Sequence, residues 1–303
     1  MRWPLRRRAS QSPSEPPPAP FVIGVGRSGT TLLRLMLDAH PELAIPPETR
    51  FVPRLIAAAR PPEATADDVV ATLTAERNWA DFGLEPDAVV ERLRAAAEVT
   101  PAVAVRSFFE AYAARFDKER WGDKTPVYGR RMPMIWRAVP EVRFVHVVRD
   151  PRDVAVSWRR FRELRGDDPR TAEHWAQVWV QTIVETRMKA RRVPNYLEVR
   201  YEDLVSEPES TLRRVCEFIA LPFSEEMLSY HVSADERLAE LGSGLRAEGA
   251  QPARSAADRI APHERTTQPP STDRVGTWRE VLSDEEIASV EGIAGELLPE
   301  NRG

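Results

Sequence analysis

Residues 21–33, Phe-Val-Ile-Gly-Val-Gly-Arg-Ser-Gly-Thr-Thr-Leu-Leu, constrain this 303-residue chain more than any other stretch. An apolar run of strand length meets Gly24, Gly26 and Gly29, then passes into a leucine-rich segment. That order predicts a buried strand, a tight turn and the start of a helix. Such a turn aims backbone N–H groups and a helix N-terminus at one point, and both favour a bound phosphate. The spacing of Gly24, Gly29 and Thr31 is that of G-x-x-x-x-G-K-[ST], but Thr30 stands at the lysine position. That lysine reaches the β- and γ-phosphates of a nucleoside triphosphate. The loop therefore suits an anionic nucleotide with a shorter, phosphate-like tail.

The length suits one α/β domain with a large core. Forty-three basic against 47 acidic residues give a net charge of −4, which argues against bulk nucleic-acid binding. A lone cysteine, Cys216, excludes an internal disulfide framework and reads as a buried core thiol. Residues 1–20 carry Arg2, Arg6, Arg7 and Arg8 followed by Ser/Pro-rich sequence. They lack an apolar signal core and read as a disordered tail, leaving 21–303 as a single domain. No apolar run is long enough for a membrane span, and the expected location is cytoplasmic.

Along the chain, a helix is predicted over 31–39, ended by His40-Pro41. A helical insertion near 52–117 is punctuated by Pro86 and Pro101. Residues 120–126 read as a strand end. Residues 142–148 read as a second buried strand closed by Arg149-Asp150-Pro151, with a helix over 153–161. A long amphipathic helix spans 171–192, where Trp175 and Trp179 read as core. A third strand covers 196–201. Ser206-Glu207-Pro208-Glu209 and Ser283-Asp284-Glu285-Glu286 read as capping boxes. Residues 242–273, rich in Gly and Pro, read as a long loop that is either disordered or a lid. Strands alternating with helices predict a P-loop-like three-layer α/β fold with a central parallel sheet. Ligands in such folds sit at the carboxyl ends of the strands, where the glycine loop, Lys124 and Arg149 all fall.

Arg149 ends one strand, and Ser157 lies about one turn into the following helix. Guanidinium and hydroxyl can therefore face one anion. Together with the altered loop, they fit a nucleotide with separate 5′ and 3′ phosphates.

At this point the residues resemble a family. The loop Gly26-Arg27-Ser28-Gly29-Thr30-Thr31 and the Arg149/Ser157 pair resemble the 5′- and 3′-phosphate motifs of sulfotransferases that use 3′-phosphoadenosine 5′-phosphosulfate. Further matches are Pro47-Glu48-Thr49-Arg50-Phe51, Lys124-Thr125-Pro126, Tyr201-Glu202-Asp203-Leu204 and Gly276-Thr277-Trp278-Arg279. The run over 21–54 is most similar to the protein-tyrosine and heparan-type branches. Cytosolic members carry a histidine base in Lys-x-His, where this chain has Pro126. The resemblance then implies Glu48 as general base and Lys124 as the stabiliser of charge on the departing oxygen. It implies Arg27, Ser28, Gly29, Thr30 and Thr31 around the 5′-phosphate, and Arg149, Ser157 and Arg274 around the 3′-phosphate. No metal is required.

The expected partner is a hydroxyl-bearing small-molecule or carbohydrate acceptor, with peptidyl tyrosine as the alternative. A P-loop kinase or nucleotidase and a non-catalytic nucleotide-binding protein remain the competing classes. His146 reads as a satisfied core residue, His40 as a helix C-terminal cap and His263 as a solvated loop residue. Trp278 reads as packing near the adenine or anchoring its turn.

Overall fold

Every residue of β1 (Ala19–Gly24) is buried, and the strand runs through the glycine turn into α1 (Thr30–Asp38). The structure is a computed structural model and describes residues 16–167, 170–249 and 252–298. β1 begins within the segment predicted as tail. The Ala19 N–H bonds Glu141 O at 3.1 Å on the β5 side, so the Pro20 nitrogen faces the other edge. There the neighbouring strand pairs only from Phe21 onward, and no donor is missed.

The two-residue strand β2 (Leu43–Ala44) leads into four insertion helices. These are α2 (Val52–Ala58), α3 (Ala66–Thr74), α4 (Pro86–Ala95) and α5 (Pro101–Ala114). Pro86 and Pro101 start helices rather than interrupt them, because the first helical N–H has no partner to lose. Thr100 adds a cap, its Oγ1 accepting from Val103 N–H at 3.3 Å.

β3 (Arg120–Trp121), β4 (Asp123–Lys124), α6 (Met132–Ala138), β5 (Val142–Val148), α7 (Pro151–Glu163) and α8 (Ala172–Ala190) follow. Then come β6 (Tyr196–Arg200), α9 (Tyr201–Ser206), α10 (Pro208–Phe218), α11 (Ala234–Ala239), α12 (Ala256–Ile260), α13 (Trp278–Val281) and α14 (Asp284–Ala294).

The main sheet has the order β4-β1-β5-β6 and is parallel throughout, while β2 pairs with β3 alone. Strand alternation sends Phe21 and Phe144 to one face, against the aromatics of α5. There Phe109 stacks on Trp121 with centroids 4.8 Å apart. Val22, Val145 and Val147 face the other way, against Leu33 and Met36 of α1 and Leu212 and Val215 of α10. This is the predicted three-layer fold. Cys216 is buried there, its thiol pushed up to about 11 by burial.

Several local expectations need correction. Ser206 caps nothing: it ends α9, and its Oγ donates to Glu202 O at 2.8 Å. Glu207, with non-helical φ −132° and ψ 61°, is the residue preceding α10, and Pro208 fills the first helical position. The box at Ser283 does form, Ser283 Oγ accepting from Glu286 N–H at 3.2 Å and Glu286 Oε2 accepting from Ser283 N–H at 3.0 Å. Tyr201 opens a helix instead of ending a strand. His40 does close the end of α1, its backbone N–H donating to Leu37 O at 3.1 Å, and its ring also bonds Pro222 O at 2.9 Å and accepts from Glu42 N–H, tying that end to a second loop. His146 bonds the Tyr196 hydroxyl at 2.6 Å, but its Nε2 is buried without a partner.

The segment 242–273 is not a structureless loop. Leu245 and Arg254 form an antiparallel bridge, Ser255 and Asp258 build a capping box on α12, and 261–267 form a 3₁₀ turn. Arg259 of α12 pairs with Asp81 of the insertion.

Candidate active site

The turn between β1 and α1 depends on backbone that few side chains tolerate. Gly29 has φ +91°, and a Cβ there would lie 2.4 Å from the Tyr201 ring. Arg27 also adopts positive φ, +70°. The conformation turns its guanidinium back over α7. Arg27 Nε donates to Ser157 Oγ at 3.4 Å, NH2 donates to Pro262 O at 3.3 Å, and the group lies 5.2 Å from the Phe161 ring centroid.

Arg149, at the carboxyl end of β5, is 5% exposed. Its NH1 donates to Arg27 O at 3.2 Å and its NH2 to Arg274 O at 2.5 Å. The Tyr201 ring lies beneath it at 4.2 Å, and Trp179 Nε1 donates to Arg149 O at 2.9 Å, fixing the strand end. Among the described residues, neither Arg27 nor Arg149 makes an ion pair with a carboxylate. Burial, with the neighbouring charge of Arg149, lowers Arg27 to about 10. Arg149 Nε and Ser28 Oγ are buried with no partner. Two inward cations with unspent donors make an anion site in waiting.

Arg27, Gly29, Thr30, Thr31, Arg149, Ser157 and Arg274 line one cavity of about 310 Å³. Small-molecule sites begin near that size. Ser28 lies in the turn behind it. The far wall comes from 261–277. That wall is pinned to α7, where Asp153 accepts from Gly276 N–H at 2.8 Å, Thr277 Oγ1 at 3.1 Å and Trp278 N–H at 3.1 Å. The Trp278 ring rests on the Arg152 guanidinium at 3.8 Å, so Trp278 anchors its turn.

Glu48 and Lys124 sit together beside this cavity. Lys124 Nζ donates to Glu48 Oε1 at 2.9 Å and to Thr31 Oγ1 at 3.4 Å. Arg50 grips the other Glu48 oxygen, from Nε at 2.9 Å and NH2 at 2.7 Å. Burial alone would raise Glu48, but the charges of Lys124 and Arg50 outweigh it and hold the carboxyl near about 2. Burial lowers Lys124, against the opposing pull of Glu48. The pair is thus ionised, partly desolvated and one hydroxyl away from the phosphate loop.

Two cavity residues, Tyr201 and His263, were named in the sequence without a place in the site. Tyr201 is the platform for Arg149; its place directly after an apolar strand was the available signal. His263 is half-buried at the cavity wall, not solvated. Burial, then the cations Lys124 and Arg27, press its ring down to about 3 and keep it neutral. Nothing in the surrounding Gly/Pro-rich sequence marks that position.

The comparison with known families is decided by a match over residues 18–225 to the model described as "Sulfotransferase family". The chain belongs to the sulfotransferase family. Among relatives, it is 28% identical over 218 residues to protein-tyrosine sulfotransferase A of Caenorhabditis elegans, covering 69% of this chain and 52% of that one. The chain spans about half the length of several of the curated relatives it matches. Among solved structures, the sulfotransferase domain of the Synechococcus PCC 7002 olefin synthase is 25% identical with a TM-score of 0.57, covering 97% of this chain and all of that one. The sulfotransferase domain from the curacin biosynthetic pathway shares the fold at 22% identity, with a TM-score of 0.59 over 94% of this chain.

Proposed function

We propose that this sulfotransferase-family chain moves a sulfuryl group from 3′-phosphoadenosine 5′-phosphosulfate to the hydroxyl of a small-molecule or carbohydrate acceptor. The observation that carries the proposal is the Lys124–Glu48 contact at 2.9 Å, set one hydroxyl from a phosphate loop that has threonine in place of lysine. Simple nucleotide binding calls for neither residue. The donor supplies the sulfuryl group and an adenosine bisphosphate leaving group. The cavity residues suit such a donor: Arg27, with the turn N–H groups and the free Ser28 hydroxyl, at the 5′ end, and Arg149, Ser157 and Arg274 at the 3′ end.

The acceptor oxygen forms a bond to sulfur as the bond from sulfur to the phosphate bridging oxygen breaks. The acceptor proton passes to Glu48, and the electron pair stays on the bridging oxygen, where Lys124 meets the new charge. While Lys124 holds Glu48, the carboxylate is ionised but weakly basic. Drawing Lys124 towards the bridging oxygen frees Glu48 Oε1, while Arg50 keeps hold of Oε2, and raises its basicity at the moment it is needed. Neutral His263 adds a hydrogen-bonding edge on the opposite wall.

The relatives named protein-tyrosine sulfotransferases favour a second reading, in which the acceptor is peptidyl tyrosine. The full-length likeness to a domain of an olefin synthase supports a non-peptide acceptor. Incubation with labelled donor and a panel of sugars, phenols, aliphatic alcohols and tyrosine peptides separates the two. Thermal melts separate the reaction class: 3′,5′-adenosine bisphosphate should stabilise the fold by mass action, and ATP with Mg²⁺ should not. The reverse ranking favours a kinase or nucleotidase.

A further inference from the structure

Beneath Glu48 and Lys124 lies a second carboxyl that the proposed chemistry does not use. Asp123 is fully buried. Its Oδ1 accepts from Thr49 Oγ1 at 2.9 Å and from Thr125 Oγ1 at 3.3 Å, while Oδ2 has no partner. Thr49 is the hub of the cluster. Its N–H donates to Thr125 Oγ1 at 3.1 Å, and its hydroxyl lies 3.0 Å from Tyr128 Oη. Tyr128 Oη in turn accepts from Val52 N–H at 3.0 Å.

The placement of these residues along the chain gives the cluster its meaning. Thr49 follows Glu48 directly, and Asp123 and Thr125 flank Lys124. Strand alternation puts Asp123 on one face of β4 and Lys124 on the other. A single buried network thus clamps the 48–50 turn to the 123–125 strand end, and Glu48 and Lys124 extend from the two halves of the clamp.

We propose that Asp123, acting through Thr49 and Thr125, is the positioning residue that sets the Glu48–Lys124 geometry and tunes the pair by its own ionisation. This rests on the sulfuryl-transfer reading of the site. The titratable groups facing Asp123 are Lys124 on its own strand, Glu48 on the 48–50 turn and Tyr128 on the following 3₁₀ turn. The aromatic residues packed around them carry no charge. Burial raises Asp123 to about 7, against the opposing bonds from Thr49 and Thr125 and the charge of Lys124. Protonation on the unpartnered Oδ2 breaks no hydrogen bond. Ionisation places a negative charge under the pair, making Glu48 the stronger base and keeping Lys124 protonated.

The test compares wild type with Asp123→Asn, Thr49→Val and Thr49→Ser. Turnover against pH, donor KM and melting temperature are measured, together with a carbon-13 NMR titration of the aspartate carboxyls. Asp123→Asn should keep the donor KM, lower kcat about tenfold, less than the roughly hundredfold or more expected for losing the base itself, and lose the rise in rate near neutral pH. Thr49→Val should lower kcat similarly, and Thr49→Ser should restore it. A carboxyl titrating near neutrality should vanish from the NMR spectra of Asp123→Asn. An Asp123→Asn protein with unchanged kcat and pH profile overturns the proposal. If that variant fails to fold, Thr49→Val decides, and a folded Thr49→Val with normal turnover overturns it equally. Failure of the wild type to sulfate any acceptor would sink the functional reading instead, while the carboxyl titration would still report on Asp123.

Discussion

The Arg149 guanidinium donates to the backbone carbonyl of Arg27 at 3.2 Å, joining the end of β5 to the phosphate loop. The two cations share a buried space with no carboxylate between them among the described residues. Removing one charge should therefore be felt by the ligand more than by the fold. Arg149→Ala should weaken 3′-phosphorylated adenosine nucleotides by about 2 kcal/mol or more, roughly thirtyfold, while barely changing analogues without that phosphate. Calorimetric titration with matched nucleotides checks this. Equal weakening of both would make Arg149 a strut for the strand end.

Glu48→Gln should keep the shape of the site and its donor affinity, yet lower turnover roughly a hundredfold or more, because an amide cannot take the acceptor proton. Single-turnover assays with labelled donor would show it. Near-normal rates in this variant would transfer the base role elsewhere, with His263 the next residue to replace.

The same carboxylate gives a pH signature in stability. Glu48 is held at about 2 against an ordinary 4.5, because Lys124 and Arg50 outweigh the burial that would raise it. A depressed carboxyl contributes stability above its unfolded value, and that contribution is lost as pH falls through the folded one. The melting-temperature gap between wild type and Glu48→Gln should be constant above about pH 5 and narrow between 4.5 and about 2. A gap independent of acid would mean that the ion pair adds nothing in solution.

Gly29→Ala should abolish nucleotide binding. The φ of +91° is strained for any side chain, and the new methyl would meet the Tyr201 ring at 2.4 Å. The ring that supports Arg149 would have to move. Retention of normal nucleotide affinity in a folded Gly29→Ala protein would count against this turn as the phosphate site.

The anchors of 242–273 include Arg259 on Asp81, Arg77 NH2 donating to Pro252 O at 3.1 Å, Arg27 NH2 on Pro262 O, and Tyr230 Oη donating to Gln268 O at 2.6 Å. Hydrogen exchange over 256–268 should slow when 3′,5′-adenosine bisphosphate and acceptor bind. It should quicken in Arg259→Met, with faster loss of donor to water in that variant. Exchange indifferent to ligand would make the segment a fixed wall.

The sequence made the large features legible because apolar runs carry their own period. β1, β5 and β6, the glycine turn and α8 all announce themselves over several residues. β2 did not, since two residues hold no period, and the strand end read over 120–126 is in fact two short strands, β3 and β4, in different sheets, a split that depends on partners far along the chain. The Ser206 box misled because Pro208 and the backbone of Glu207, not the Ser-x-x-Glu spacing, set the start of α10. Glu48, Lys124, Arg27 and Arg149 were accessible through motif chemistry. Thr49 and Asp123 were not: a threonine in a turn and an aspartate beside a lysine look ordinary until folding brings the two, 74 positions apart, into contact. His263 stayed hidden for the same reason, its burial being created by a turn that packs only in three dimensions.

The family match ends at residue 225, but the wall bearing His263, Arg274 and Thr277 lies beyond it. The two sides of the cavity can therefore be inherited on different terms. The turn, Glu48, Lys124 and Arg149 all lie within the matched residues. The later segment, fastened through Asp153, Asp81 and a few backbone carbonyls, brings to the cavity Arg274, proposed for the 3′-phosphate, and His263, whose ring feels the charges of Lys124 and Glu48. Grafting that piece onto this scaffold from a relative that keeps an arginine at the Arg274 position should exchange the preferred acceptor and leave nucleotide affinity as it was.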